Sequence, residues 1–310
     1  MKRSSTIALA AIFVILLVVS YFFLKSPGER ETSYTMTDNK LAVDSSQVQS
    51  IIIRKNGSIT RVDETGGEWT VSKSDSGKGE SFGKHFATDK EAVARTLGGL
   101  QKMKLSSIVS SNPNKQSIYQ VDSTGTQVTV VSRNGKTVEF VLGQTAANYA
   151  EVYIRPVSSN NVYLAEGLMG WDVNRELRDW RDKKIFAIVK DSVHELTYSY
   201  PKERFTIRKD SVWLLEKDTA STDQVTAALH SLEQLRAQDF IDTSMDLTQT
   251  QLQLQLVESA PLTLSFMPLP PDSSRYVAKT SASPQLYIVG KWNITPFMKQ
   301  KKDFLPIKKK

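Results

Sequence analysis

Two segments of the chain repeat one pattern of apolar positions at helical spacing. Both place four apolar residues at steps of four, three and three: Val93, Leu97, Leu100 and Met103 in the first, and Val225, Leu229, Leu232 and Leu235 in the second. Residues at this spacing form one stripe along an α-helix, and such a stripe packs against a core. The pattern predicts two amphipathic helices, over residues 88–104 and 222–237.

Segments in which apolar and polar residues alternate surround both helices, as is typical of strands with one buried face. In the first half they are residues 48–55, 68–71, 127–132, 137–143, 151–156 and 161–167; in the second half they are residues 193–200, 212–215, 252–257, 262–267, 274–279 and 285–291. Each half therefore reads as strands, one helix and further strands. The sequence predicts an α+β fold of two tandem repeats, each a mostly antiparallel sheet with one main helix.

The spacing of other residues supports a duplication. Val48 precedes Trp69 by 21 positions, and Val193 precedes Trp213 by 20. Both helices also begin with a sequence that favours a capping box: Thr88 with Glu91, and Ser221 with Gln224. The alternative is that matched apolar steps report only the helical period, since any α+β domain has strands before a helix. That alternative leaves the paired tryptophans unexplained.

Each half ends in a similar closing segment, which begins with Trp171 in the first half and Trp292 in the second and continues into a basic cluster. The first closing segment also holds Trp180, Arg181 and Asp182. We take these five residues as a candidate interaction surface, because exposed tryptophan and arginine are enriched where proteins bind partners. Two alternatives remain open: the rings pack into a joint between the halves, or Arg181 and Asp182 form a buried connection there.

Residues 4–24 are uncharged and follow Lys2 and Arg3. At about 1.5 Å per helical residue, this stretch covers the roughly 30 Å of a bilayer's hydrocarbon core. It predicts a single membrane anchor whose N-terminus stays in the cytoplasm. A cleaved signal peptide is the alternative, although bulky aromatic residues stand where a cleavage site needs small ones.

The predicted organisation has six parts. They are a transmembrane anchor (1–25), a linker (26–44), the first α+β repeat (45–170), a connector helix (171–187), the second repeat (188–298) and a basic tail (299–310). We expect the anchor to lie in the inner, cytoplasmic membrane and the body to lie in the periplasm or another extracytoplasmic space.

The net charge is +7 and the sequence pI is about 9.3. Much of this basicity lies in the lysines of the tail, which reads as a solvated segment or as one that meets anionic lipid or an acidic partner. Nucleic acid is not an expected partner, because no nucleic-acid recognition motif accompanies these lysines. The chain has no cysteine, which excludes disulfides, thiolate metal sites and a cysteine nucleophile.

No catalytic, cofactor or metal site is predicted. The glycine-rich segment 76–86 lacks the spacing and the hydroxyl residue of a phosphate-binding P-loop. His85, His194 and His230 have no metal-ligand spacing and read as surface or half-buried residues. We therefore expect a protein that is not an enzyme.

The residues of the "WRDKKIF" segment (180–186), a following strand, Trp213 and the second helical stripe resemble the bacterial family of unknown function numbered 4340. The resemblance covers roughly residues 45–300 and brings no catalytic residues. It implies one membrane anchor and a gene setting like that of auxiliary proteins of gliding-motility-type ABC transporters.

These expectations combine into one functional hypothesis, a membrane-anchored extracytoplasmic interaction or accessory protein of such an envelope complex, with transporter subunits as partners. The alternative is a periplasmic protein that binds a ligand or a glycan in a cleft between the repeats, with Trp171, Trp180 and Trp292 as stacking residues.

Overall fold

The structure is a computed structural model that describes residues 41–75, 82–243, 245 and 250–306. The predicted anchor over residues 4–24 lies outside the described residues. No helix in the described part of the chain is both long and apolar enough to cross a membrane.

Two antiparallel sheets of nine strands each make the fold mostly β. The strands of the first sheet are β1 (Val48–Lys55), β2 (Ser58–Thr65), β3 (Glu68–Asp75), β4 (Phe86–Ala87), β5 (Lys104–Ser110), β6 (Thr126–Ser132), β7 (Thr137–Thr145), β8 (Val152–Pro156) and β9 (Val162–Glu166). Those of the second are β10 (Glu195–Ser199), β11 (Arg204–Lys209), β12 (Trp213–Leu215), β13 (Asp218–Thr219), β14 (Asp239–Ile241), β15 (Leu252–Val257), β16 (Pro261–Leu269), β17 (Asp272–Thr280) and β18 (Ser283–Gly290).

The two sheets have the same strand order. The first runs β4-β3-β2-β1-β6-β7-β8-β9-β5, and the second runs β13-β12-β11-β10-β15-β16-β17-β18-β14. Adding nine to each strand number of the first sheet gives the second. A chance agreement of nine strands in order is improbable, so the layout is the one that a tandem repeat produces.

Five α-helical segments accompany the sheets: α1 (Lys90–Lys102), α2 (Gly170–Val173), α3 (Leu177–Trp180), α4 (Thr222–Glu233) and α5 (Lys291–Ile294). The two predicted main helices, α1 and α4, are confirmed, each shorter at its C-terminal end than predicted. The predicted connector helix over residues 171–187 consists instead of the single turns α2 and α3 and irregular chain.

The predicted caps of the main helices differ from the observed ones. Asp89, not Thr88, caps α1, because its Oδ1 accepts from the backbone N–H groups of Glu91 and Ala92 at 2.8 and 3.2 Å. The Thr88 hydroxyl donates to the carbonyl of Trp69. Ser221 occupies the N-cap position of α4, but its side chain makes no capping hydrogen bond.

The apolar stripes of the main helices face the core as predicted, with one exception. Seven of the eight residues are buried, and Leu97 is half-buried. Burying one such side chain contributes roughly 1.5–3 kcal/mol before the loss of chain entropy. In the second half the stripe of α4 joins one cluster with side chains of β10, β11, β15 and β16.

By its contacts the chain divides into two compact units that do not follow the predicted boundaries everywhere. The first unit takes its described residues from Met1–Glu68, Ser72–Lys84 and Ala94–Asn174, and the second takes them from Trp69–Val71, His85–Val93 and Arg175–Lys310. Two short pieces of the first repeat thus group with the second unit.

Candidate functional site

Two tryptophans stand exposed at corresponding places of the two repeats. Trp171 lies in α2, a short distance after β9, and Trp292 lies in α5, directly after β18. Their exposed fractions are 62% and 72%. The apolar residue two positions later, Val173 or Ile294, is buried in each case. One inward-pointing apolar side chain therefore fixes each helical turn, and the turn exposes its indole ring to solvent.

Hydrogen bonds hold the turn around Trp171 in the first unit. The Asp172 carboxylate accepts from the backbone N–H of Met169 at 2.9 Å, and the Asp172 carbonyl accepts from the buried hydroxyl of Thr96 at 2.6 Å. Asn174 accepts from the Thr126 hydroxyl at 2.6 Å. Because these bonds reach α1 and β6, the position of Trp171 is set by the core of its unit.

Side chains pack closely over Gly290 at the turn around Trp292 in the second unit. A Cβ atom at Gly290 would lie 2.8 Å from the indole Nε1 of Trp292 and 2.9 Å from the side-chain oxygen of Asn293. Gly290 is the residue that leaves room for this packing. The Thr295 hydroxyl and N–H both donate to the carbonyl of Lys291, which closes the turn.

Trp180 and Arg181 are buried in the second unit, with exposed fractions of 0% and 4%. Their backbone pairs with the segment around Ala87: Asp89 N–H donates to the Trp180 carbonyl at 2.8 Å, and Asp182 N–H donates to the Ala87 carbonyl at 2.9 Å. The guanidinium of Arg175 also lies over the ring of Trp180, with its Cζ 5.5 Å from the ring centroid. Neither Trp180 nor Arg181 belongs to an exposed surface.

The Arg181 guanidinium is held on its faces and on its edge. Its Cζ lies 3.6 Å from the ring centroid of Phe86 and 3.7 Å from that of Phe240. Two rings at stacking distance from one planar group must lie on its opposite faces. On the edge, Nη1 donates to both oxygens of Asp242 at 3.1 and 2.9 Å, and Nη2 donates to Gln285 at 2.9 Å.

The buried connection between Arg181 and Asp182 considered from the sequence is not the one observed. Asp182 is exposed, and its carboxylate accepts from the backbone N–H of Lys184. The partner of Arg181 is Asp242, 61 positions later. Sequence reasoning missed Phe86, Phe240, Asp242 and Gln285, because no local signal ties them to Arg181.

The arrangement around Arg181 suits a structural role. Stacking on two rings and pairing with a carboxylate and an amide engage both faces and the donor edge of the guanidinium. A cation held in this way is not available to a substrate. It joins the segment of Phe86, the chain after α3 and the β14 edge into one rigid part of the second unit.

The other residues considered for chemistry lie apart. His85, His194 and His230 are exposed, as predicted, and each is on a different element. Part of the glycine-rich segment, residues 76–81, lies outside the described residues. In the part of the chain that the structure describes, no group of three or more His, Asp or Glu residues is placed to hold a metal ion.

Residues 83–255 match the family described as Domain of unknown function (DUF4340). This is more than half of the chain. The chain belongs to this family. The search among curated proteins gave no match.

The DUF4340 match covers most of the buried arginine cluster but only one of the two exposed tryptophans, Trp171. It includes Arg181, Phe86, Phe240 and Asp242, and it ends within β15, before Gln285 and Trp292. The larger part of the cluster thus lies within the family region. The match confirms the family that the sequence resembled.

Proposed function

We propose that this DUF4340 protein is a non-catalytic, membrane-anchored accessory protein whose body works outside the cytoplasm. Its role is to bind a protein of the envelope, such as a transporter subunit. The observation that carries the proposal is the pair of exposed rings, Trp171 and Trp292, at corresponding turns of the two repeats. Tryptophan provides more contact area at protein interfaces than most side chains and is enriched among the residues that dominate binding energy.

Rigid support of both rings strengthens the proposal. An exposed side chain on a flexible loop loses conformational entropy when it binds, and a side chain on a fixed turn loses less. Buried Val173 and Ile294 anchor the two turns, and hydrogen bonds of Asp172 and Thr295 fix their backbone. The protein thus presents two aromatic contacts that are already in place before a partner arrives.

The anchor and the location are part of the proposal and come from the uncharged residues 4–24 with Lys2 and Arg3 before them. A topology test uses two fusions of alkaline phosphatase, which is active only outside the cytoplasm, one to the C-terminus of the full chain and one to a chain lacking residues 4–24. We expect activity from the first fusion alone, in the membrane fraction. An inactive full-length fusion would contradict the proposed location.

The partner test uses a photo-crosslinking amino acid placed at position 171 or 292 of the full-length chain in native membranes. We expect both positions to yield the same adduct with one envelope protein. Position 118 and position 189 serve as controls, because Ile118 and Val189 are each 61% exposed and belong to neither turn. Equal adducts at all four positions, or adducts only between copies of this chain, would refute the proposal.

The same adducts discriminate between the two functions considered from the sequence. Trp180 is buried, so of the three tryptophans considered for glycan stacking only Trp171 and Trp292 are accessible. A soluble glycan that abolished crosslinking at both positions would indicate the ligand-binding function. We expect the adducts to persist.

A further inference from the structure

A cleft of about 400 Å³ lies on the first sheet, wholly within the first unit. Its walls are the turn between β1 and β2 (residues 55–58) and the loop that precedes β6 (residues 122–125). Its volume lies within the range of about 300–1,000 Å³ that small-molecule sites occupy. The cleft plays no part in the contacts described so far.

The floor of the cleft is a row of directly opposed residues across four neighbouring strands: Arg54 in β1, Gln127 in β6, Val141 in β7 and Arg155 in β8. Directly opposed residues in an antiparallel sheet project from the same face. Two arginines therefore flank Gln127 and the buried Val141, with their backbones about 14 Å apart, which is three strand spacings.

The adjacent row shows which face carries the cleft. Ile53, Val128 and Phe140 are opposed in the same three strands and are buried. Because successive residues of a strand alternate between faces, these side chains point into the core on the other side. The arginines lie on the face turned away from that core.

Arg155 is fixed in place by main-chain carbonyls. Its Nε donates to the carbonyl of Val121 at 2.8 Å, and its Nη1 donates to those of Ser159 at 3.2 Å and Pro156 at 3.5 Å. Within the described residues it forms no salt bridge, and its Nη2 donates to no protein acceptor. A half-buried cation is thus held firmly while part of its donor edge stays available.

The cleft is positively charged. Arg54, Lys55 and Arg155 line it, against the single carboxylate of Asp122. The Asp122 carboxylate accepts from the hydroxyl and the N–H of Thr124 at 2.6 and 3.0 Å, which holds its pKa below the usual value. The negative charge of Asp122 is therefore partly compensated by the donors of Thr124. The three cations outnumber it, so the cleft stays positive.

The second sheet shows what this row looks like without the site. The corresponding residues in β10, β15, β16 and β17 are Ser199, Gln253, Ser265 and Lys279. The glutamine is kept, a lysine stands where Arg155 stands, and a serine replaces Arg54. Repetition of the fold alone does not require two arginines, so their presence in the first sheet calls for a separate explanation.

We propose that the cleft binds a phosphate group carried by a small molecule or by a lipid headgroup, with Arg155 as the fixed ligand and Lys55 and Arg54 as the neighbouring cations. Guanidinium and ammonium donors around a concave surface match the tetrahedral oxygens of phosphate. The volume accommodates a glycerol phosphate as well as the phosphate itself. This proposal does not depend on the protein partner proposed above.

Binding is measured on the full-length chain in nanodiscs of phosphatidylcholine, titrated calorimetrically with glycerol 3-phosphate. We expect saturable binding that Arg155→Gln weakens by roughly tenfold or more, since a charge-assisted contact is lost. Lys55→Gln should weaken it several-fold, and because Lys55 is exposed this variant stays folded even if Arg155→Gln does not. Lys279→Gln is the matched control, since it removes a cation from the corresponding row of the second sheet.

In a second titration, nanodiscs that contain phosphatidylglycerol take the place of the soluble ester. Any attraction of the lysine tail for anionic lipid is the same in all variants, so a difference between Arg155→Gln and Lys279→Gln isolates the cleft. Dependence on Arg155 with the soluble ester or with the anionic lipid supports the proposal and identifies the source of the phosphate. No saturable binding in either titration, or equal loss in Arg155→Gln and Lys279→Gln, would overturn it.

Discussion

The two halves of this DUF4340 protein have one strand order and largely different side chains. β1 buries Ile51 and Ile53 where β10 buries Leu196 and Tyr198. The order of nine strands survives this change because it depends on which face of each strand is apolar and not on the identity of the apolar residue. The comparison teaches that the repeated property is a pattern of burial.

The main helices differ more than the strands. At the positions where α1 has Gly98 and Gly99, α4 has His230 and Ser231. A Cβ at Gly99 would lie 2.9 Å from Leu168, whereas one at Gly98 would meet nothing within 4 Å. The first helix therefore approaches the chain after β9 more closely than a helix with larger residues could. Five predictions separate what the repeats share from what they do not.

The largest expected effect is at the shared stripe. Leu232→Asp puts a charge into the core of the second unit and should lower the free energy of unfolding by about 4–5 kcal/mol or more. Leu100→Asp should do the same in the first unit, because both leucines are fully buried. Gln234→Asp is the control, since Gln234 is exposed. Equal melting temperatures for Leu232→Asp and Gln234→Asp, measured by calorimetry, would refute the common stripe.

The next effect tests a feature of the second unit alone. Arg181→Ala removes the stacking on Phe86 and Phe240 and the hydrogen bonds that the guanidinium donates to Asp242 and Gln285, so it should destabilise by about 3 kcal/mol. Arg178→Ala is the matched control three positions away: Arg178 is 53% exposed and lies 3.4 Å from Asp239. That variant should change stability by less than about 1 kcal/mol. Chemical denaturation of both variants measures the difference, and similar losses would show that the arginine cluster is not the stabilising element.

A smaller effect tests the close approach of α1. Gly99→Ala should destabilise by about 1–2 kcal/mol because the added methyl group displaces Leu168. Gly98→Ala, one residue earlier in open space, should instead stabilise by about 0.5–1 kcal/mol through helix propensity. Opposite signs of the two changes in thermal unfolding are the expected result. The same sign for both would mean that α1 does not pack tightly at Gly99.

The smallest effect concerns two tyrosines that have no counterpart in β1. The Tyr200 hydroxyl donates to the Lys299 carbonyl at 2.7 Å, while the buried Tyr198 hydroxyl has no hydrogen-bond partner among the residues that the structure describes. Tyr200→Phe should therefore destabilise by about 1 kcal/mol, and Tyr198→Phe should be neutral or stabilising. Equilibrium unfolding of both variants is the measurement. Equal losses would contradict the assignment of the hydrogen bond.

The same residues predict a pH dependence. Burial, with help from Glu203 and Asp303, raises the pKa of Tyr200 to about 12, above its ordinary value of 10.0. The folded state therefore keeps the proton that the unfolded state releases, so the stabilisation is complete below pH 10 and is lost between pH 10 and about 12. Tyr200→Phe should show a shallower loss of stability over this range. A Tyr200 that ionises with an ordinary pKa in an absorbance titration would contradict the prediction.

The sequence predicted twelve of the eighteen strands that the structure describes and both main helices but missed six strands: β2, β4, β5, β11, β13 and β14. β4 and β13 are only two residues long. β2 carries charged residues on its half-exposed face, which hides its alternation, and β11 is similar. β5 and β14 lie at the sheet edge in the strand order, and β5 was partly taken for the end of the first helix. Edge strands have fewer apolar residues because only part of their surface is covered, so local pattern alone does not distinguish them.

The candidate site also combines features that the sequence predicted with features that it did not. The recurrence of Trp171 and Trp292 was visible in the sequence, because each follows the last strand segment of a repeat and precedes an apolar residue by two positions. Their exposure was not visible, since a tryptophan two positions before a buried apolar residue can face either way. The buried state of Trp180 and Arg181 depended on residues far along the chain, such as Phe86 and Gln285.

The sequence by itself determined the periodicity of burial, and with it the duplicated order of strands and helices and membership of the DUF4340 family. Local physics is sufficient for this, because side-chain direction repeats every two residues in a strand and every 3.6 in a helix. Only the tertiary structure decided that Arg181 pairs with Asp242 and that Arg54 and Arg155 share one face of the first sheet. These are contacts between residues distant in sequence, and they exist only once the strands have taken their register.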